Sequence, residues 1–94
     1  MEVAIELSFF PLQEDYLAAI RNFIGRLRAL PQLRVETTSL STQIVGEYDL
    51  VMPLLTQELR AVLSGPARAV VIMKLLGPLQ SVGGAGVAPA APAN

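Results

Sequence analysis

Residues 69–76 read AVVIMKLL, eight residues with one charge, Lys74, and no alternation of apolar with polar positions. Val70 and Ile72 fall on one side of such a strand, and Val71, Met73 and Leu75 on the other. A strand apolar on both parities expects cover on both faces. The chain has 94 residues, enough for a single core. Whatever sheet contains this segment can be roofed from within the chain on one side only.

The rest of the chain supplies three further strands and two helices. Residues 2–10 alternate, with Val3, Ile5, Leu7 and Phe9 on one face and Ala4, Glu6, Ser8 and Phe10 on the other. Pro11 is expected to end that strand, because it cannot donate to a ladder. Glu14 and Asp15 then place negative charge where a helix dipole favours it. Leu17, Ile20, Ile24 and Leu27, with Phe23 and Leu30 alongside, make an apolar stripe that stops at Pro31. Leu33 to Thr38 alternates again, and Thr42 to Val45 is a second β-rich run, so the two read as a hairpin broken by Gly46. A second helix is predicted from about Asp49, as its cap, to Leu63, with Leu54, Leu55, Leu59, Val62 and Leu63 on its buried side and Pro53 near its first turn. Ser64, Gly65 and Pro66 end it.

The order is strand, helix, strand, strand, helix, strand. This is the split βαβ pattern of an α+β, ferredoxin-like fold: a four-stranded antiparallel sheet with both helices on one face. The first strand is then central, between the third and fourth, and the second forms an edge. The predicted domain spans residues 1–76. Residues 77–94 hold four Gly, five Ala and three Pro in 18 residues, and read as a flexible tail, not a membrane span. The opening MEVAIELSFF has no basic segment ahead of its apolar residues and is not expected to be a signal peptide. No Cys is present, which fits a cytoplasmic setting.

The face away from the helices is neither polar throughout nor apolar throughout. Leaving three or four large side chains in water forgoes several kcal/mol at about 25 cal/mol per Å2. A second copy of the chain is the simplest cover, so a homodimer or homotetramer joined through open sheet faces or edges is expected. The same face carries Glu6 and Ser8, with Gln43 beside them and Thr38 beyond. A carboxylate there needs a partner. Either Glu6 pairs with Arg34, Lys74 or a sister subunit or reaches solvent, or the polar groups line a pocket walled by Phe10, Met73 and nearby aliphatics.

Two stretches carry a resemblance. In IELSFFPLQEDY, residues 5–16, the pattern is Glu6, Ser8, Phe10, Pro11 and Leu12, followed by Asp15 and Tyr16; in VETTSLSTQIVGEYDLVM, residues 35–52, it is Thr37, Ser41, Thr42, Gly46 and Glu47. Both resemble the small thiamine-binding, YkoF-like family, over about residues 3–76. The resemblance implies a ferredoxin-like fold, subunit pairing, and binding without catalysis of thiamine or its hydroxymethylpyrimidine part. A carboxylate can accept from an aminopyrimidine's amine and from its protonated ring nitrogen. Glu6 is the first candidate for that role. Ser8, Thr38, Ser41, Thr42 and Gln43 are candidates to complete the hydrogen bonds, and Phe10 to stack on the ring. Glu47 or Tyr48 would sit near a thiazolium cation.

Composition narrows the alternatives. The chain has no His, Cys or Trp, which excludes Ser-His-Asp and Cys-His catalysis and the usual catalytic zinc sites, and no metal or other cofactor is expected. Seven basic against eight acidic residues, with 5% aromatics, argue against nucleic acid as a partner. Two other functions stay open: a small ferredoxin-like enzyme using Glu6 or Glu47 as base, and a regulatory or interaction domain that oligomerises through its open face.

Overall fold

A computed structural model describes residues 1–79. The elements are β1 (Glu2–Pro11), α1 (Tyr16–Arg28), β2 (Arg34–Thr37), β3 (Thr42–Glu47), α2 (Tyr48–Leu63) and β4 (Ala69–Leu76). The sheet order is β2-β3-β1-β4, all neighbours antiparallel. This is the ferredoxin-like arrangement the alternations predict. Its core forms where the odd residues of β1 meet the helices: Ile5, Leu7, Phe23, Leu27, Leu33, Ile44, Val51 and Leu55 make one buried cluster. Phe9 and Phe23 stack obliquely, with ring centroids 5.0 Å apart. Among the described residues, no helix is long and apolar enough to cross a membrane.

Local departures from the expectations have local causes. β1 runs through Pro11, which lies opposite Ala69, and the Leu12 N–H still donates to the Arg68 carbonyl at 2.9 Å. By the alternation of an antiparallel ladder, even residues of β1 aim their N–H and C=O at β4 and odd residues aim theirs at β3. The position-11 nitrogen therefore points to the β3 side. There the last paired residue of β1 is Leu7, so proline removes no ladder bond.

Gly46 does not break β3; the strand passes through it to Glu47. A Cβ at Gly46 would lie 2.4 Å from Val51 Cγ2 and 3.2 Å from the Gln32 carbonyl, so glycine is there to let α2 approach the sheet. Asp49 is not the cap of α2. Glu47 is, accepting from the Asp49 N–H at 2.9 Å. On α2 the fully buried residues are Val51 and Leu55, whereas Leu63, expected inside, is exposed. On α1 the buried centre of the stripe is Phe23 and Leu27, while Leu17 is exposed. Of the predicted tail, Gly77–Leu79 is described, and the Leu79 N–H donates to the Glu2 carbonyl at 2.9 Å; residues 80–94 lie outside the described residues.

Gly46→Ala should destabilise the fold by about 1–3 kcal/mol, the usual range for overpacking. Urea unfolding followed by circular dichroism checks this, and an unchanged midpoint would mean that α2 can move off β3 freely.

Candidate functional site

β1 is longer than its pairing with β3. It runs beside β4 from Ala4 to Pro11, but beside β3 only from Glu2 to Leu7. From Ser8 onward one side of β1 is open. The hairpin tip, the start of α1 and this free stretch of β1 enclose a cleft of about 320 Å3. That is at the low end of small-molecule sites, which run from about 300 to 1,000 Å3. Leu7, Phe9 and Phe23 form its apolar base, Tyr16, Ile20 and Ile24 of α1 one wall, and Ser39, Leu40 and Ser41 the other. Ser8 and Phe10 enter from the open face and Thr42 from the helix face, so the cleft cuts through the plane of the sheet at its end.

The cleft has a backbone component as well. Phe9 is odd-numbered, so its N–H and C=O point to the side where β3 has already turned away. A donor and an acceptor of the main chain thus face the cleft, spaced as a strand would present them to a neighbour.

The hairpin wall is held by a local network. The Thr38 N–H donates to the Ser41 carbonyl at 2.9 Å, and Thr38 Oγ1 accepts from the backbone N–H of Leu40 and of Ser41, each at 3.1 Å. Thr38 thus shapes the loop, and its hydroxyl is largely engaged in doing so. Ser41 Oγ donates to Glu6 Oε2 at 3.1 Å, and Lys74 Nζ stands 3.7 Å from Glu6 Oε1. Glu6 therefore sits on the open face at the cleft's rim, tied to a cleft-lining hydroxyl on one side and a lysine on the other.

Of the eight candidate residues, Ser8, Phe10, Thr38, Ser41 and Thr42 line one cleft, and Glu6 joins it through Ser41. Gln43 lies across from Glu6 on the open face, exposed and outside the cleft. Glu47 lies at the opposite end of the sheet, across from Glu2. There it caps α2 and pairs with the Met1 ammonium. Met73, expected as a wall beside Phe10, is opposite Leu7 and so on the helix face, outside the cleft. An exchange of parity in β4 explains this: Ile72 and Val70, opposite Ser8 and Phe10, share their side of the sheet. Sequence reasoning missed Tyr16, Ile20, Ile24 and Leu40. The available signal was the strand order itself, which brings the end of β1, the start of α1 and the β2–β3 turn to one end of the sheet. Among the described residues, no group of acidic side chains could hold a metal ion.

The fold has clear relatives among solved structures. Protein SP2199 from Streptococcus pneumoniae superposes with a TM-score of 0.73 at 24% identity, over 87% of this chain and 93% of that one. A Thermotoga maritima protein provisionally assigned to thiamine biosynthesis or salvage gives 0.69 at 19% identity, over 80% and 82%. A domain of unknown function, DUF77, from Bacillus cereus gives 0.65 at 16% identity, over 83% and 77%. These likenesses establish the fold. No family model and no curated protein matches the chain.

Glu47 yields a pH prediction. The Met1 ammonium and the Asp49 N–H hold its carboxyl below the ordinary carboxylate range, and the same pairing raises the Met1 ammonium. A depressed carboxyl stabilises the fold above its unfolded value and loses that contribution as pH falls through the folded value. A raised ammonium stabilises below its unfolded value, near 8, and loses it as pH rises through the folded one. Glu47→Ala should therefore lower the melting temperature most between about pH 5 and 7, with the gap from wild type closing in acid and narrowing in alkali. Melting curves across pH check this; a gap that persists undiminished in acid would show that charge on Glu47 is not what matters.

Proposed function

We propose that the chain is a non-catalytic binding protein whose cleft takes thiamine or its hydroxymethylpyrimidine moiety, with Glu6 as the recognising carboxylate. The observation that carries this is the convergence of Ser8, Phe10, Ser41 and Thr42 on one apolar-based cleft, with Glu6 bonded to Ser41 at its rim. The lining itself holds no charged side chain. A ligand with a flat apolar body and one basic, amine-bearing edge suits such a place. Phe10 offers a ring face, the Phe9 backbone offers a donor beside an acceptor, and Glu6 offers the charge. Lys74 would yield Glu6 to a ligand cation at little cost, since a half-exposed pair 3.7 Å apart is weakly held.

The sequence motifs around Glu6–Tyr16 and Thr37–Glu47 resemble the thiamine-binding family, and one structural relative has a provisional assignment in thiamine metabolism. Both support this choice of ligand. The non-catalytic reading is supported by the lack of His and Cys in the chain.

Calorimetry with thiamine and with hydroxymethylpyrimidine tests the site. Wild type should bind both, and Glu6→Gln should weaken binding roughly 10- to 100-fold, the range for losing a charged hydrogen bond. Equal affinities would remove Glu6 from the site, and no binding of either compound would remove the ligand. Chromatography of thiamine and its phosphates after incubation with the protein should return them unchanged; conversion would make the chain an enzyme.

A further inference from the structure

We propose that α1 is a hinged wall of the cleft: it bends at Gly25, and its first part, residues 16–24, swings outward to let a small molecule in and out. This rests on the cleft being the binding site, though not on which small molecule it takes. Every residue that α1 gives to the cleft, namely Tyr16, Ile20, Phe23 and Ile24, precedes Gly25. Arg26, Leu27 and Arg28, which follow it, give nothing to the cleft.

A glycine inside a helix needs a reason, because only proline is a poorer helix former. Gly25 is interior to α1 and exposed. A Cβ there would meet no atom within 4 Å beyond the helix's own backbone and the neighbouring residues of the chain. Among the described residues, then, no close approach of another element explains it, in contrast to Gly46. A bare position on the outer side permits a bend toward solvent. Such a bend shortens that side of the helix and would press a side chain at position 25 against its surface neighbours Arg21, Asn22, Arg28 and Ala29. With glycine there is nothing to press.

The two parts of the helix are held differently. After Gly25, Leu27 is fully buried, Arg26 Nε donates to Glu58 Oε1 at 2.7 Å, and Arg28 Nη2 donates to Thr37 Oγ1 at 2.9 Å. Before it, among the described residues, no side chain of residues 16–24 is hydrogen-bonded or ion-paired to another element. Asp15 makes no side-chain cap bond, the Ala19 N–H reaches the Asp15 carbonyl only at 3.4 Å, and Tyr16 and Leu17 are half exposed. Phe23 is the one firm anchor of this part, buried against Phe9. It lies close to the pivot. At 1.5 Å of rise per residue, a bend of about 20° at Gly25 carries Tyr16 about 5 Å and Phe23 about 1 Å. The base of the cleft stays in place while its mouth widens.

The facing wall is pinned instead. Thr38 Oγ1 accepts from the backbone N–H groups of Leu40 and Ser41, and the Thr38 N–H closes the loop onto the Ser41 carbonyl. A cleft with one fixed and one hinged wall admits its guest past the hinged one, and motions of this kind run on the microsecond-to-millisecond scale. The wall is closed in the free protein and closes again on the guest, so Gly25 governs the rates of entry and exit and leaves the affinity nearly alone.

Relaxation-dispersion NMR on the full chain without ligand should show exchange on that timescale at residues 16–24 and none at residues 38–42. Gly25→Ala, for which there is room, should quench this exchange and raise the melting temperature by about 4–8 °C. In stopped-flow mixing with thiamine, followed by tyrosine fluorescence, the variant should slow association and release together, each about 5-fold, with the dissociation constant moved less than about twofold. A quiet α1 in the unliganded wild type overturns the proposal, and so does exchange that survives Gly25→Ala. A variant that loses affinity at an unchanged association rate overturns it in favour of a contact role for position 25. A change of solution mass in the variant, read by light scattering, overturns it in favour of a partner packed close against α1. If neither protein binds thiamine but the exchange is present and quenched, the hinge stands and the choice of thiamine falls.

Discussion

β1 outruns β3, and most of what this molecule offers to other molecules follows from that mismatch. A central strand normally has both sides satisfied by neighbours. Here β3 starts at Thr42, opposite Leu7, because the hairpin turns tightly at Ser39 and Leu40 under the hold of Thr38. The last four residues of β1 then keep β4 on one side and, among the described residues, no strand on the other. Filling that gap with side chains would need bulk on the hairpin, yet Ser39, Ser41 and Thr42 are small and Leu40 stands outward at the tip. The opening stays, with Phe23 and Phe9 beneath it.

Two glutamates on the same sheet show how position decides the use of a carboxylate. Glu47 is placed where the chain needs a cap: the end of β3 runs directly into α2, and a side chain that accepts from Asp49 satisfies one of the helix's orphan donors. Its other contact, to the Met1 ammonium, ties β1 to the same corner. Glu6 is in the middle of the open face, where no helix terminus needs it. Its two neighbours are a serine that belongs to the cleft and a lysine on an exposed strand. One group is spent on the fold, and the other is available.

Much of this was legible in the residues. Strict alternation in β1 located the buried face, because a period of two admits one solution once Val3, Ile5 and Leu7 are inside. The uninterrupted AVVIMKLL run placed β4 at its observed bounds. What escaped were features set by contacts between elements. Gly46 reads locally as a breaker, and only the approach of Val51 shows that it is a passage for α2. Leu17 satisfies the helical stripe but sits exposed in the first turn of α1, whose buried centre comes later, at Phe23 and Leu27. The parity of Met73 could not be settled from β4 alone, since both of its faces are apolar; it takes the register with Leu7 to put Met73 on the helix side. Ser8, Phe10, Thr38, Ser41 and Thr42, which line the cleft from β1 and the hairpin, were read as candidates from the sequence, whereas Leu40 and the wall from α1 were not, because nothing in the pattern of a helix says which turn of it will border an opening.

Pro11 adds one more consequence. Its nitrogen faces the gap where β3 has ended, alongside the backbone of Phe9. An extended peptide sliding into that gap would find one residue ready to exchange bonds and, at the next such position, a ring with no hydrogen to give. A strand added there would lack one bond of its ladder. The proposed small ligand would ask for only the Phe9 rung, so the proline that weakens strand addition at this gap costs such a ligand nothing.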